Sequence, residues 1–200
     1  MEVKEPIAHY ELLDLNKEYS YLDYLRFTFS ERVELIKGKI FKMSPAPNRR
    51  HQTITRNLYS TVDRYLENKP CKWYPAPFDV RLNIPKGKKD HTVVQPDLCV
   101  VCDTSILDDA GCNGTPDLMV EILSPGNQSH DLNTKFDLYE EAEVKEYWIV
   151  DPHIRAVLVY TLKDGKFIGL KPFVEGTKII SPLFRDLDLD VDEIFVDLEI

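Results

Sequence analysis

Two hundred residues with 34 acids against 25 bases give a formal net charge of −9, at 43% hydrophobic and 30% charged content. That length suits one domain with a sizeable core, and the negative balance argues against indiscriminate nucleic-acid binding, which depends on phosphate neutralisation. No apolar run approaches the ~20 residues needed to cross a membrane, and Met1-Glu2-Val3-Lys4-Glu5 lacks a signal-peptide pattern, so the expected location is cytoplasmic.

The chain reads as one unit over 1–200, with an arm over 1–32 and a core over 33–195. The arm carries Tyr19, Tyr21, Tyr24, Phe27 and Phe29, which suit a short helix or strap packed on the domain. Val33 to Met43 predicts a hairpin turning at Lys37-Gly38. Ser44-Pro45-Ala46-Pro47 breaks it, and Asn48 can cap a helix running to about Asn68. In that helix His51, Ile54, Leu58, Val62 and Tyr65 recur on one face, so His51 is the inward residue of the first turn. Trp73 to Asn83 predicts a strand, 85–90 a loop, and Val93 to Asp103 a second strand. Pro96 cannot donate to a ladder and marks an edge, a start or a bulge just before Asp97. A turn-rich loop over 108–114 comes next, then the nearly all-apolar strand Asp117 to Leu123, the pattern of a central strand covered on both faces. Ser124-Pro125-Gly126-Asn127 ends it. A helix over Ser129 to Glu143, strands over Tyr147 to Asp151 and Ala156 to Leu162, and a turn at Lys163-Asp164-Gly165-Lys166 complete the middle of the chain. The alternating tail Asp186 to Asp192 suits a half-exposed strand entering a turn near Glu193-Ile194-Phe195. Helices interrupting a run of strands indicate a mixed α/β sheet.

Three charges stand where a core normally takes apolar residues. Glu121 is the only charge in Leu118-Met119-Val120-Glu121-Ile122-Leu123, Asp97 opens Leu98-Cys99-Val100-Val101, and Lys135 falls inside the arc of Leu132, Phe136, Leu138, Tyr139 and Ala142. An unpaired buried charge is strongly disfavoured, so such groups find each other or a metal. On neighbouring strands Asp97 and Glu121 would sit ~5 Å apart, a gap that fits Mg²⁺ or Mn²⁺. Asp117 lies four residues from Glu121 and reads as the residue that starts the strand. Lys135 either snorkels outward or meets those acids; two inward acids upstream favour the meeting, where it would stabilise charge on a phosphate oxygen. Gln95 shares the face of Asp97 and reads equally as a partner of the lysine or as an ordinary strand-end residue. Glu34, between Val33 and Leu35, reads as a third carboxylate or, in preference, a solvent-facing residue. His51 alone reads as a capping or packing histidine, and gains a role only if its helix points at the carboxylates. The chain has no GxSxG elbow, HExxH or Walker loop, so metal-assisted attack by water is the chemistry best supported.

The cysteines are Cys71, Cys99, Cys102 and Cys112. Cys99 and Cys102 fall on opposite faces of a strand, no second CxxC is present, and reduced, partly buried thiols are expected. Basic spots at Arg49-Arg50 and Lys86-Gly87-Lys88-Lys89 read as solvated turns or a helix start.

Val94-Gln95-Pro96-Asp97-Leu98, then Pro116-Asp117-Leu118-Met119-Val120-Glu121-Ile122-Leu123-Ser124-Pro125, then Glu146-Tyr147-Trp148-Ile149-Val150-Asp151-Pro152 together resemble the Uma-two family of restriction-endonuclease-like proteins. Val33-Glu34-Leu35-Ile36-Lys37-Gly38, Met43-Ser44-Pro45, His51-Gln52 and Ser181-Pro182-Leu183 fit the same pattern in order. The resemblance spans roughly Val33 to Phe195 and implies the PD-(D/E)XK nuclease superfamily, with a mixed sheet flanked by helices. It implies that Asp97 and Glu121 bind Mg²⁺ or Mn²⁺, that DNA is the substrate, and that Lys135 positions the nucleophile while His51 touches substrate or holds an acid. The usual lysine position, two after the acid, holds Leu123; the family's lysine is taken to come from the following helix, where Lys135 lies. An acidic chain would need a basic groove from a homodimer or a partner. The competing expectation is a nuclease-like scaffold without useful activity.

Overall fold

The structure, a computed structural model, describes residues 5–43, 47–84, 90–124 and 130–198. The break at Ser44-Pro45-Ala46, the segment 85–89, Pro125-Gly126-Asn127 and the helix start at Ser129 lie outside the described residues.

The arm folds against the first hairpin. Helix α1 (Tyr21–Tyr24) starts at Ser20 in a reciprocal cap with Asp23. Leu13 and Tyr19 are buried with Leu35 and Val93, and Tyr24, Phe27 and Phe29 pack around them. Strands β1 (Val33–Ile36) and β2 (Lys39–Lys42) pair antiparallel, with Lys37 at φ 49° and Gly38 at φ 83° between them. Two successive positive-φ residues are what a two-residue hairpin turn requires. Helix α2 (Arg49–Leu66) begins where the Asn48 side chain accepts from the His51 N–H at 3.0 Å, and it buries His51, Ile54, Leu58 and Val62.

The rest of the chain builds strands β3 (Lys72–Pro75), β4 (Val80–Arg81), β5 (Val93–Val94), β6 (Leu98–Val101), β7 (Leu107–Asp108), β8 (Gly111–Asn113) and β9 (Leu118–Ile122). A π-helical turn (His130–Lys135) runs into α3 (Phe136–Glu141). Then come β10 (Glu146–Asp151), β11 (Ala156–Lys163), β12 (Lys166–Gly169), β13 (Phe173–Val174), β14 (Lys178–Ile179), β15 (Leu189–Asp190) and α4 (Val191–Phe195). The main sheet runs β12-β11-β10-β9-β6-β3, with β13 on β11; a second runs β2-β1-β5-β4-β8-β7, and β14 pairs with β15. Among the described residues of the main sheet β9 and β10 form the parallel pair, the geometry that a crossover through α3 produces.

Alternation along the central strands separates two cores. Leu98, Val100, Leu118, Val120 and Ile122 face α2 and α4, where Trp148 and Phe195 are fully buried. Cys99, Val101, Met119, Tyr147 and Ile149 face Leu138 and Tyr139 of α3 together with Val80 and Val94 of the second sheet. Each large side chain so buried contributes about 1.5–3 kcal/mol of transfer free energy.

The mixed α/β class and the central character of β9 agree with the sequence. Four local readings do not. Trp73 to Asn83 is two strands in two sheets, with Pro77 between β3 and β4, where it has no N–H to give to a ladder. Val93 to Asp103 is likewise split at Pro96 into β5 and β6. The loop over 108–114 contains the β7–β8 hairpin, and of the acidic tail only Leu189–Asp190 is strand before α4. The cysteine reading also changes: Cys71 and Cys102 form a disulfide, while Cys99 and Cys112 are free and buried. The register Lys72↔Val101 puts Cys71 opposite Cys102, a cross-strand relation that spacing within one strand does not reveal.

Candidate active site

Three elements meet where β6 begins and β9 ends. Leu98 pairs with Val120 across the antiparallel ladder, so one step further Asp97 stands opposite Glu121. Pro96 has already interrupted the strand, and Asp97 lies in the bend. Its Oδ2 accepts from the Ile122 N–H at 2.8 Å, so its carboxylate abuts the peptide just after Glu121. The Asp97 carbonyl accepts from the Tyr59 hydroxyl at 3.0 Å and the Ala76 N–H at 3.1 Å, which fixes the bend.

His51 reaches this acid from the first turn of α2. Its Nε2 lies 3.2 Å from Asp97 Oδ2, and its Nδ1 lies 3.3 Å from the Thr55 hydroxyl. A carboxylate oxygen accepts, so the Nε2 contact suits an imidazole N–H donating to Asp97, while Thr55 holds the other ring nitrogen. The start of α2 therefore points at the acid.

Glu121 projects to the α3 side with Met119. The residue is 3% exposed, and its carboxylate accepts from Lys135 Nζ at 2.8 Å and from the Tyr139 hydroxyl at 2.7 Å. Lys135 is itself 3% exposed, so it does not snorkel. Burial first, and then the Glu121 charge, push the Tyr139 hydroxyl well above the ordinary tyrosine range, keeping it a donor. Lys135 ends the π-helical turn; Tyr139 lies four residues later on the same face of α3. Leu132, expected in that arc, is 37% exposed, because the wider π turn changes the spacing ahead of Lys135.

Glu34 is a correction. It is 2% exposed, not solvent-facing, and its Oε1 lies 3.2 Å from Lys135 Nζ and accepts the Gln95 N–H at 2.9 Å. The hairpin has the arm packed on Leu35 and the Lys135 end of the α3 crossover packed on Glu34, which an alternation rule for a two-stranded ribbon misses. Gln95 does not touch Lys135 through its side chain: Nε2 donates to Asp79 Oδ1 at 2.7 Å, and Oε1 accepts from Arg32 at 2.7 Å. Asp117 accepts from the Cys102 N–H at 2.6 Å at the start of β9. Tyr139, Tyr59, Asp79 and Arg32 join the site unannounced by any motif; only the i, i+4 relation of Tyr139 to Lys135 offered a signal.

The arrangement thus holds one acid in a bend with a histidine, a second acid buried with a lysine and a tyrosine, and a third acid on the same lysine. Among the described residues no group of three or more His, Cys, Asp or Glu gathers closely enough to cage an ion, and no helix is long and apolar enough to cross a membrane.

A mixed sheet with a helix crossing over its parallel pair, and acids with a lysine at the strand ends, defines an α/β domain of nuclease-like fold. A crystal structure described as "a putative nuclease belonging to DUF820 from Anabaena variabilis ATCC 29413" shares this fold, with a TM-score of 0.69 at 19% identity over 88% of this chain and 97% of that one. No curated protein matches the sequence. The chain belongs to the Uma2 family, described as "Putative restriction endonuclease", whose model matches residues 18–192.

Proposed function

We propose that this chain is a divalent-metal-dependent endonuclease that hydrolyses phosphodiester bonds in DNA. The carrying observation is a lysine buried between two glutamates, Glu121 and Glu34, at the strand end where Asp97 binds the amide next to Glu121. Family membership supports the same reaction class.

Asp97 and Glu121 would hold the ion. Two carboxylates fit Mg²⁺ or Mn²⁺, which keep several waters and take further oxygen ligands from substrate phosphate. When bound, such an ion neutralises phosphate charge and makes water a stronger nucleophile. His51 fixes the orientation of the Asp97 carboxylate, and Tyr139 that of Glu121. Lys135 stabilises negative charge developing on a phosphate oxygen. Glu34 would leave Lys135 with a carboxylate partner if Glu121 held the cation. A homodimer would supply the extended contact surface that a chain of net charge −9 needs for DNA.

A second reading is a nuclease-fold binding protein without activity, favoured by the contacts that Lys135 makes to Glu34 and Glu121 and Tyr139 makes to Glu121, which pair these acids with protein donors. Plasmid cleavage in Mg²⁺ or Mn²⁺, compared with Asp97→Ala and Glu121→Gln, decides between them. Cleavage abolished by both changes, with Mn²⁺ binding heat that depends on Glu121, is the expected result. Cleavage that survives both, or no cleavage and no such heat in the unmodified chain, removes the proposal.

A further inference from the structure

Arg26, Arg56, Arg64, Arg81 and Arg155 each sit against a carboxylate. Arg32 does not. Among the described residues its guanidinium donates only to the neutral Oε1 of Gln95, at 2.7 Å, in an exposed contact. A guanidinium docked on an amide keeps its whole charge and most of its donors while its direction is fixed.

Its position matters. The Met43 N–H donates to the Arg32 carbonyl at 2.9 Å, which continues the β1–β2 ladder by one residue. Arg32 and Glu34, two apart, therefore share a face. Gln95 ties both ends of that face together, donating its N–H to Glu34 and accepting from Arg32. Asp97 lies two residues beyond Gln95. Arg32 thus stands at the solvent rim of the face whose buried end holds Lys135.

The chemistry of the rim is set by the charge of the floor. Glu34, Glu121 and Asp97 outnumber Lys135, and Lys135 is committed to two of them. A polyanion approaching such a floor needs a cation beside it that is not already neutralised. The planar guanidinium fork matches two phosphate oxygens. We propose that Arg32 binds the phosphodiester backbone of the nucleic-acid substrate at the entrance to the site. The substrate class rests on the nuclease reading above; the contact itself does not require cleavage.

The test is therefore binding. Fluorescence anisotropy of a labelled random-sequence DNA duplex, in Ca²⁺ without Mg²⁺ or Mn²⁺, is measured across a salt series for the unmodified chain, Arg32→Gln and Arg32→Lys. Loss of one phosphate contact should make the slope of log affinity against log salt shallower by about one. That corresponds to roughly fivefold weaker binding near 0.15 M salt, converging toward equality near 1 M. Arg32→Lys should keep most of the slope, and the urea midpoint of Arg32→Gln should match the unmodified chain. An unchanged slope in Arg32→Gln, with or without a shifted urea midpoint, overturns the inference, as does absence of duplex binding by the unmodified chain. An Arg32-dependent slope in a chain that never cleaves in Mg²⁺ or Mn²⁺ upholds the contact and removes the nuclease reading alone.

Discussion

Replacing Lys135 by Met isolates the electrostatics of the buried cluster. The ammonium sits 2.8 Å from Glu121 and 3.2 Å from Glu34, and all three residues are at most 3% exposed. Methionine keeps most of the volume and removes the charge, leaving two neighbouring carboxylates in a dry site. Breaking a buried pair by deleting one partner costs about 3–5 kcal/mol, a large share of the roughly 5–15 kcal/mol that holds a domain folded. Urea unfolding in EDTA should show that loss at pH 8. It should shrink at pH 5, where a carboxylate can take up a proton. Linkage gives the sign: in the variant the folded chain holds a proton that the unfolded chain releases above the ordinary glutamate value near ~4.3, so stability falls as pH rises. Adding Glu34→Gln to the lysine change should recover stability at pH 8, since one glutamate alone retains the Tyr139 donor. A loss below about 1 kcal/mol at pH 8, or equal losses at both pH values, would refute the buried-cluster account.

His51→Ala should weaken Mn²⁺ binding by about 10- to 100-fold in calorimetry, because the orienting partner of Asp97 is gone; unchanged affinity would deny His51 that part. Burial pushes the Glu146 carboxyl up, against donors from Ser181, Leu183 and Trp148 that pull it down. Its contribution to stability is therefore full below the unfolded glutamate range and is lost as pH rises through the folded value; carbon-13 NMR should find it ionising above the usual ~4.3, and a value at or below that would contradict the burial argument. Alkylation of the urea-unfolded chain without reductant should label Cys99 and Cys112 but not Cys71 or Cys102, and all four after reduction; four labels without reductant would exclude the disulfide.

The residues that announced themselves in the sequence were those violating a pattern. A lone acid in β9, an acid behind Pro96 and a lysine on an oily helix face are all costly unless they meet a partner, and for Glu121 and Lys135 the structure supplies that partner in each other. Asp97 took a different route, to His51 and a backbone amide. The hidden features depended on distant segments. Glu34 obeys the alternation of a half-exposed hairpin, and nothing local reveals that the arm and the α3 crossover pack on both faces. The Cys71–Cys102 pair depends on the β3–β6 register, which joins cysteines 31 residues apart in sequence. The break at Pro96 was signalled by proline chemistry and the one near Pro77 was passed over, and which sheet each half joins is a property of the whole topology.

The crossing at Gln95-Pro96-Asp97 also says where this chain tolerates engineering. Three residues carry the backbone from one sheet to the other, and one added there would slide Asp97 off the Ile122 amide and invert the facing of β6. At the β11–β12 tip, by contrast, a Cβ built on Gly165 meets nothing within 4 Å, although its φ of +74° favours glycine itself. A reporter or fused module belongs at that tip, between Asp164 and Gly165, provided that Lys166 and Phe167 keep their hold on Glu140 of α3, the helix next to Lys135.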